Sequence, residues 1–80
     1  MPTILRHGPY RFYFFSDEGS EPAHVHVRYG GKDCKFWLIP VSCAQNRGIP
    51  VHRLNEIAKI IHQHKAQLIN GFHEHRNRQS

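Results

Sequence analysis

Alternation of apolar and polar side chains divides the chain into a β-rich front and a helical back. Thr3–Arg6 reads as a short strand, which His7-Gly8-Pro9 breaks. Tyr10–Phe15 comes next with five aromatics in six residues and Arg11 among them, a strong strand signal because aromatic rings suit a pleated, half-buried surface. Ser16–Ser20 is a polar, glycine-containing turn, and Pro22 confines the next residues to a strand start. Ala23–Tyr29 alternates, Gly30-Gly31 supplies a hairpin turn, and Asp33–Ile39 forms the return strand that Pro40 ends. Residues 41–49 read as a connection. From Pro50, whose fixed φ suits a first helical turn, Val51, Leu54, Ile57, Ala58, Ile61, Leu68, Ile69 and Phe72 recur at helical spacing. They predict one amphipathic helix over about residues 50–72, with Gly71 weakening or capping its last turn and residues 73–80 as a frayed polar tail. The expected architecture is α+β in the order ββββα. Strands at 3–6, 10–15, 23–29 and 33–39 form a small antiparallel sheet of three to four strands, packed on one long C-terminal helix.

Composition narrows this picture. Eighty residues suggest a single domain over 1–80 with a thin core, and nine aromatics supply much of its apolar area. Charged residues at 21% and periodic aliphatics argue against disorder. No apolar run is long enough for a membrane-spanning helix, and no basic-then-apolar leader opens the chain, so the expectation is a cytoplasmic protein with no membrane partner. The net charge of +5 is uneven: residues 1–40 hold five basic and four acidic groups, residues 41–80 six and two. An anionic partner would be drawn to that excess, although small domains carry comparable charge for solubility alone. Cys34 and Cys43 form no CxxC pair and read as reduced thiols, most simply as small buried hydrophobes.

Strand parity sharpens the argument, because side chains at i and i+2 share a face. Placing Phe12, Phe14, Val25, Val27, Phe36 and Leu38 under the helix leaves Arg11, Tyr13, Phe15, His24, His26, Arg28, Lys35 and Trp37 on the outer face. Rings interleaved with cations on an open sheet suit base stacking and phosphate pairing. The same residue types are enriched at protein-binding hot spots, and an ordinary solvated face with cross-strand aromatic pairs is the plainest alternative.

Eight histidines in 80 residues are the most unusual feature. His24 and His26 lie two apart on a strand, roughly 6.5–7 Å along one face, a spacing from which both can reach one divalent metal. A third ligand would have to come from His7, Glu21, Asp33, Cys34 or a helix histidine. Either His24 or His26 could instead serve as a general acid or base, since imidazole titrates near neutrality, with Arg28 and Lys35 steadying charge on a phosphodiester. His62 and His64 are two apart on a helix and do not face each other, and His73 and His75 sit in the tail.

Met1-Pro-Thr-Ile, Tyr10-Arg-Phe-Tyr-Phe, Glu21-Pro-Ala-His-Val-His-Val, Lys35-Phe-Trp-Leu and Pro40-Val together resemble the prokaryotic domain-of-unknown-function family 4160, from Met1 to about Phe72. The resemblance implies a small stand-alone bacterial or archaeal protein. Its members often lie beside another small protein gene and count as suspected toxin–antitoxin components on that ground. It makes His24 and His26 a hallmark and brings no catalytic residue. Two departures stand out: Ala23 replaces a usual second proline, and Asn70-Gly71-Phe72 occupies a region that often carries tryptophan.

Three functions emerge as expectations. The first is a toxin–antitoxin-type module that binds a small protein partner and RNA through Arg11, Tyr13, His24, His26, Arg28, Lys35 and Trp37. The second is a metal-binding protein or metal-dependent enzyme built on His24 and His26. The third is a non-catalytic protein-interaction adaptor.

Overall fold

The computed structural model describes residues 3–15 and 21–79, without the side chains of residues 3, 78 and 79. The turn expected at residues 16–20 lies outside the described residues. Strands β1 (Thr3–His7), β2 (Tyr10–Tyr13), β3 (His24–Tyr29), β4 (Lys32–Leu38) and β5 (Val41–Arg47) precede helices α1 (Val51–Gln63) and α2 (Lys65–Gln79). The strands form one antiparallel meander in chain order β1-β2-β3-β4-β5. The class is α+β as expected, with a five-stranded sheet where three to four strands were expected, and two helices in place of one.

The front keeps closely to the alternation. Gly30, at φ +61°, takes the left-handed conformation that lets a two-residue turn join β3 to β4, with Tyr29 opposite Lys32. Phe12, Phe14, Val25, Val27, Phe36 and Leu38 are buried with Ile49, Ile57, Ile60, Ile61, Leu68 and Phe72, so the core lies between one sheet face and the helices.

Residues 41–47 are a strand rather than a connection. Val41-Ser-Cys-Ala-Gln-Asn-Arg has little strand propensity of its own, and only pairing with β4 holds it, from Leu38↔Val41 to Asp33↔Arg47. Asn46 closes its end by exchanging two side-chain hydrogen bonds of 2.9 Å with the backbone of Ile49.

The single helix divides at His64, whose φ of −115° leaves the helical range. Between Ile61 and Leu68 the chain offers no large apolar side chain, so nothing holds that segment against the sheet. The break lets α1 lie against β5 while α2 crosses β3 and β4. Pro50 is the residue before α1, its carbonyl accepting from the Arg53 and Leu54 amides at 3.0 Å. Helix α2 runs on through the expected tail to Gln79. Gly71 neither weakens nor ends it: a Cβ there would lie 3.3 Å from Cε2 of the Phe14 ring, so the glycine permits close helix–sheet approach.

Candidate functional site

Cross-strand register builds the outer face into rows. Arg6 pairs with Arg11, Arg11 with Arg28, Arg28 with Asp33, and Asp33 with Arg47. Directly opposed residues share a face, so one row crossing all five strands carries four arginines and a single carboxylate. At about 4.8 Å between strands the row is roughly 19 Å long. All four arginines are exposed, and Asp33 is half-buried among them. Arg11 and Arg28 came from parity. Arg6 and Arg47 join them only through the register, because one was not assigned a face and the other lay in the presumed connection.

The neighbouring row is Tyr13, His26, Lys35 and Gln45. The His26 ring stacks with Tyr13 at 5.5 Å and meets Phe15 edge-on at 4.4 Å. Phe15 is exposed, whereas His26 is only 9% exposed. Burial, then the Asp33 carboxylate, push the Tyr13 hydroxyl above its ordinary pKa against the opposing pull of Arg28 and Arg47, so the ring lies within electrostatic reach of the arginine row. The Lys35 ammonium pairs with the Glu21 carboxylate and lies 4.8 Å from the Trp37 ring centre.

The two hallmark histidines were expected to stand open on this face, and burial corrects that. His24, opposite Trp37, is 1% exposed, its ring among those of His26 at 5.4 Å, Trp37 at 5.9 Å and Phe72 at 5.2 Å. Its Nδ1 lies 2.7 Å from the Pro22 carbonyl oxygen, which can only accept, so Nδ1 carries the proton. The segment read as a tail braces this cover. His75 donates from Nε2 to the Phe15 carbonyl at 2.8 Å, and Arg76 donates to the Glu21 carbonyl while its guanidinium sits 4.4 Å over Phe72. Helix α2 thus grips the chain at residues 15 and 21.

Between the two rows lies a concavity of about 160 Å³, lined by Phe15, His26, Asp33, Lys35, Gln45 and Arg47. A larger hollow between β1 and α2, about 330 Å³, has Glu74 as its one ionisable lining side chain. Of these two, the first brings charge and an aromatic ring together among the described residues.

Other polar groups are engaged elsewhere. Tyr10 is buried, and its hydroxyl donates to Glu56 while Arg53 bonds both at 3.4 and 3.3 Å, tying α1 to β2. Hydrogen bonding from Tyr10, opposed by some desolvation, holds the Glu56 carboxyl below its usual range. Cys34 is buried, and burial pushes its thiol up to about 12, whereas Cys43 is exposed, contrary to its expected burial. The proposed third metal ligands are dispersed. His7 faces His64 at the helix junction, Glu21 holds Lys35, Cys34 turns to the core, and Asp33 lies between arginines. Among the described residues no three such side chains come close enough to hold a metal ion. No helix among them is long and apolar enough to cross a membrane.

Over residues 10–73 the sequence matches the family model described as a domain of unknown function (DUF4160). No curated protein and no solved structure matches it.

Proposed function

Given that the chain belongs to that family, we propose that it is an RNA-binding module whose outer sheet face holds a single-stranded segment. The observation that carries this reading is the cross-strand row Arg6–Arg11–Arg28–Asp33–Arg47. Arg6↔Arg11 and Arg11↔Arg28 bring like charges directly opposite one another on neighbouring strands, an unfavourable arrangement in itself. A bound phosphate backbone turns that repulsion into attraction and releases counterions. Phe15 at 37% exposure and the half-buried Tyr13 lie beside the row, where bases splayed from a single strand can stack. Arginine suits the task because its planar fork binds phosphate oxygens in pairs.

In a toxin–antitoxin setting the small protein partner is acidic on its contacting face and competes with RNA for the same arginines. Fluorescence anisotropy with a labelled single-stranded RNA tests the reading. The triple variant Arg11→Gln, Arg28→Gln, Arg47→Gln loses about tenfold or more in affinity while keeping its circular dichroism, since three phosphate contacts disappear. Lys59→Gln, on the exposed side of α1, binds as the wild type does. Equal RNA affinity for the wild type and the triple variant refutes the proposal.

A further inference from the structure

We propose that the concavity beside His26 cleaves RNA at a 2′-hydroxyl without a metal ion. This rests on the RNA-binding reading above. Such cleavage needs three things in one place: a base for the hydroxyl proton, cations for the charge that builds on phosphorus, and room for the reacting phosphate. His26 lines the concavity with Arg47, with the Asp33 carboxylate beside that arginine, and with Lys35, its direct cross-strand partner, whose ammonium is paired with Glu21. Its ring is set by Tyr13 stacked on it and Phe15 against its edge, so the imidazole is oriented before substrate arrives. The volume of about 160 Å³ equals that of about five waters at ~30 Å³ each, which suits a phosphate and its ester oxygens while the base stays outside on Phe15.

Both hallmark histidines are buried, and their place relative to the concavity chooses between them. His24 is sealed among Trp37, Phe72 and His26, with Nδ1 committed to the Pro22 carbonyl, so it is a positioning residue for its neighbour. His26 lines the open concavity, so it is the one that reaches the phosphodiester.

In the step, the His26 imidazole takes the 2′-hydroxyl proton as the 2′-oxygen forms a bond to the adjacent phosphorus. The bond from phosphorus to the 5′-oxygen breaks, and that oxygen takes a proton from water. The products are a 2′,3′-cyclic phosphate and a 5′-hydroxyl end, and the imidazolium returns its proton to solvent. No oxidant, reductant or further reactant is consumed. Arg47 steadies the added negative charge on the phosphoryl oxygens, while Lys35 stays paired with Glu21.

The test incubates saturating protein with end-labelled RNA in EDTA, beside the same RNA carrying 2′-deoxy sugars, and measures binding and cleavage separately. The wild type yields fragments ending in a 2′,3′-cyclic phosphate and binds the deoxy strand without cutting it. At saturating protein, His26→Gln loses cleavage by about a hundredfold or more, the typical contribution of a general base. If that variant does not fold, the deoxy strand and the exposed Arg47→Gln, which slows cleavage at saturation, still decide the matter. Binding without cleavage by the wild type overturns this proposal and leaves RNA binding intact. Cutting of the deoxy strand, loss of activity in EDTA, or undiminished cleavage by a folded His26→Gln also overturns it. Absence of RNA binding removes the reading on which it rests.

Discussion

Replacing Phe72 with alanine tests whether α2 is a working part of the fold. Phe72 is 4% exposed, and its ring lies 5.9 Å from Phe14, 5.2 Å from His24 and beneath the Arg76 guanidinium at 4.4 Å. Truncating a buried phenylalanine costs about 3–5 kcal/mol through lost transfer energy and the cavity left behind. Small domains hold only about 5–15 kcal/mol in all, so the variant loses a large share of its stability. At an m-value of about 1.5 kcal/mol/M, the urea midpoint falls by about 2–3 M. The fluorescence of Trp37, the chain's single tryptophan, reports the transition, and its ring is a neighbour of His24, which Phe72 covers. His73→Ala, an exposed position on the same helix, moves the midpoint by less than about 0.3 M. A Phe72→Ala shift no larger than that control refutes the docking of α2 and the sealing of His24 with it.

Two further predictions concern titrating groups. Glu56 titrates below its unfolded value mainly because Tyr10 donates to it. Its contribution to stability is therefore present above the ordinary carboxylate pKa of about 4.3 and is lost as pH falls through the lower folded value. Tyr10→Phe thus lowers Tm at neutral pH, and its deficit against the wild type narrows below about pH 4; a deficit constant from pH 7 to 3 contradicts the assignment. The second concerns the thiols. With its pKa pushed to about 12 by burial, Cys34 stays protonated and shielded, while Cys43 is open to reagent. Iodoacetamide at pH 8, with peptide mass spectrometry as the readout, labels Cys43 first and Cys34 only on unfolding, and equal labelling rates would show Cys34 to be accessible.

Much of the sheet was legible because alternation is strong where one face is buried. The alternation of Tyr10 and Phe12 with Arg11 in β2 and the valines of β3 mark the core side, and Gly30-Gly31 marks the hairpin. Strand β5 was not legible, since Ser42, Gln45 and Asn46 carry no strand signal and the neighbouring strand supplies the order. The end of α2 was hidden for a related reason. His75 and Arg76 read as tail residues, yet they are held by backbone carbonyls of Phe15 and Glu21, partners 60 and 55 positions away. Parity set His24 and His26 on the face opposite Val25, but parity cannot see that Phe72 and Trp37 close over His24. The arginine row depends on register, and register is set by which residues pair across strands, something that single-strand periodicity does not encode.

The most direct test of the account is the salt dependence of RNA affinity for the wild type beside the Arg11→Gln, Arg28→Gln, Arg47→Gln variant. Each arginine on a phosphate contributes about 0.7 to the slope of log affinity against log salt for a single strand. Four contacts give the wild type a slope of about −3, and removal of three brings the variant to about −1. Slopes that coincide, at whatever affinity, would mean that phosphates are held elsewhere and that the arginine row is not the binding face.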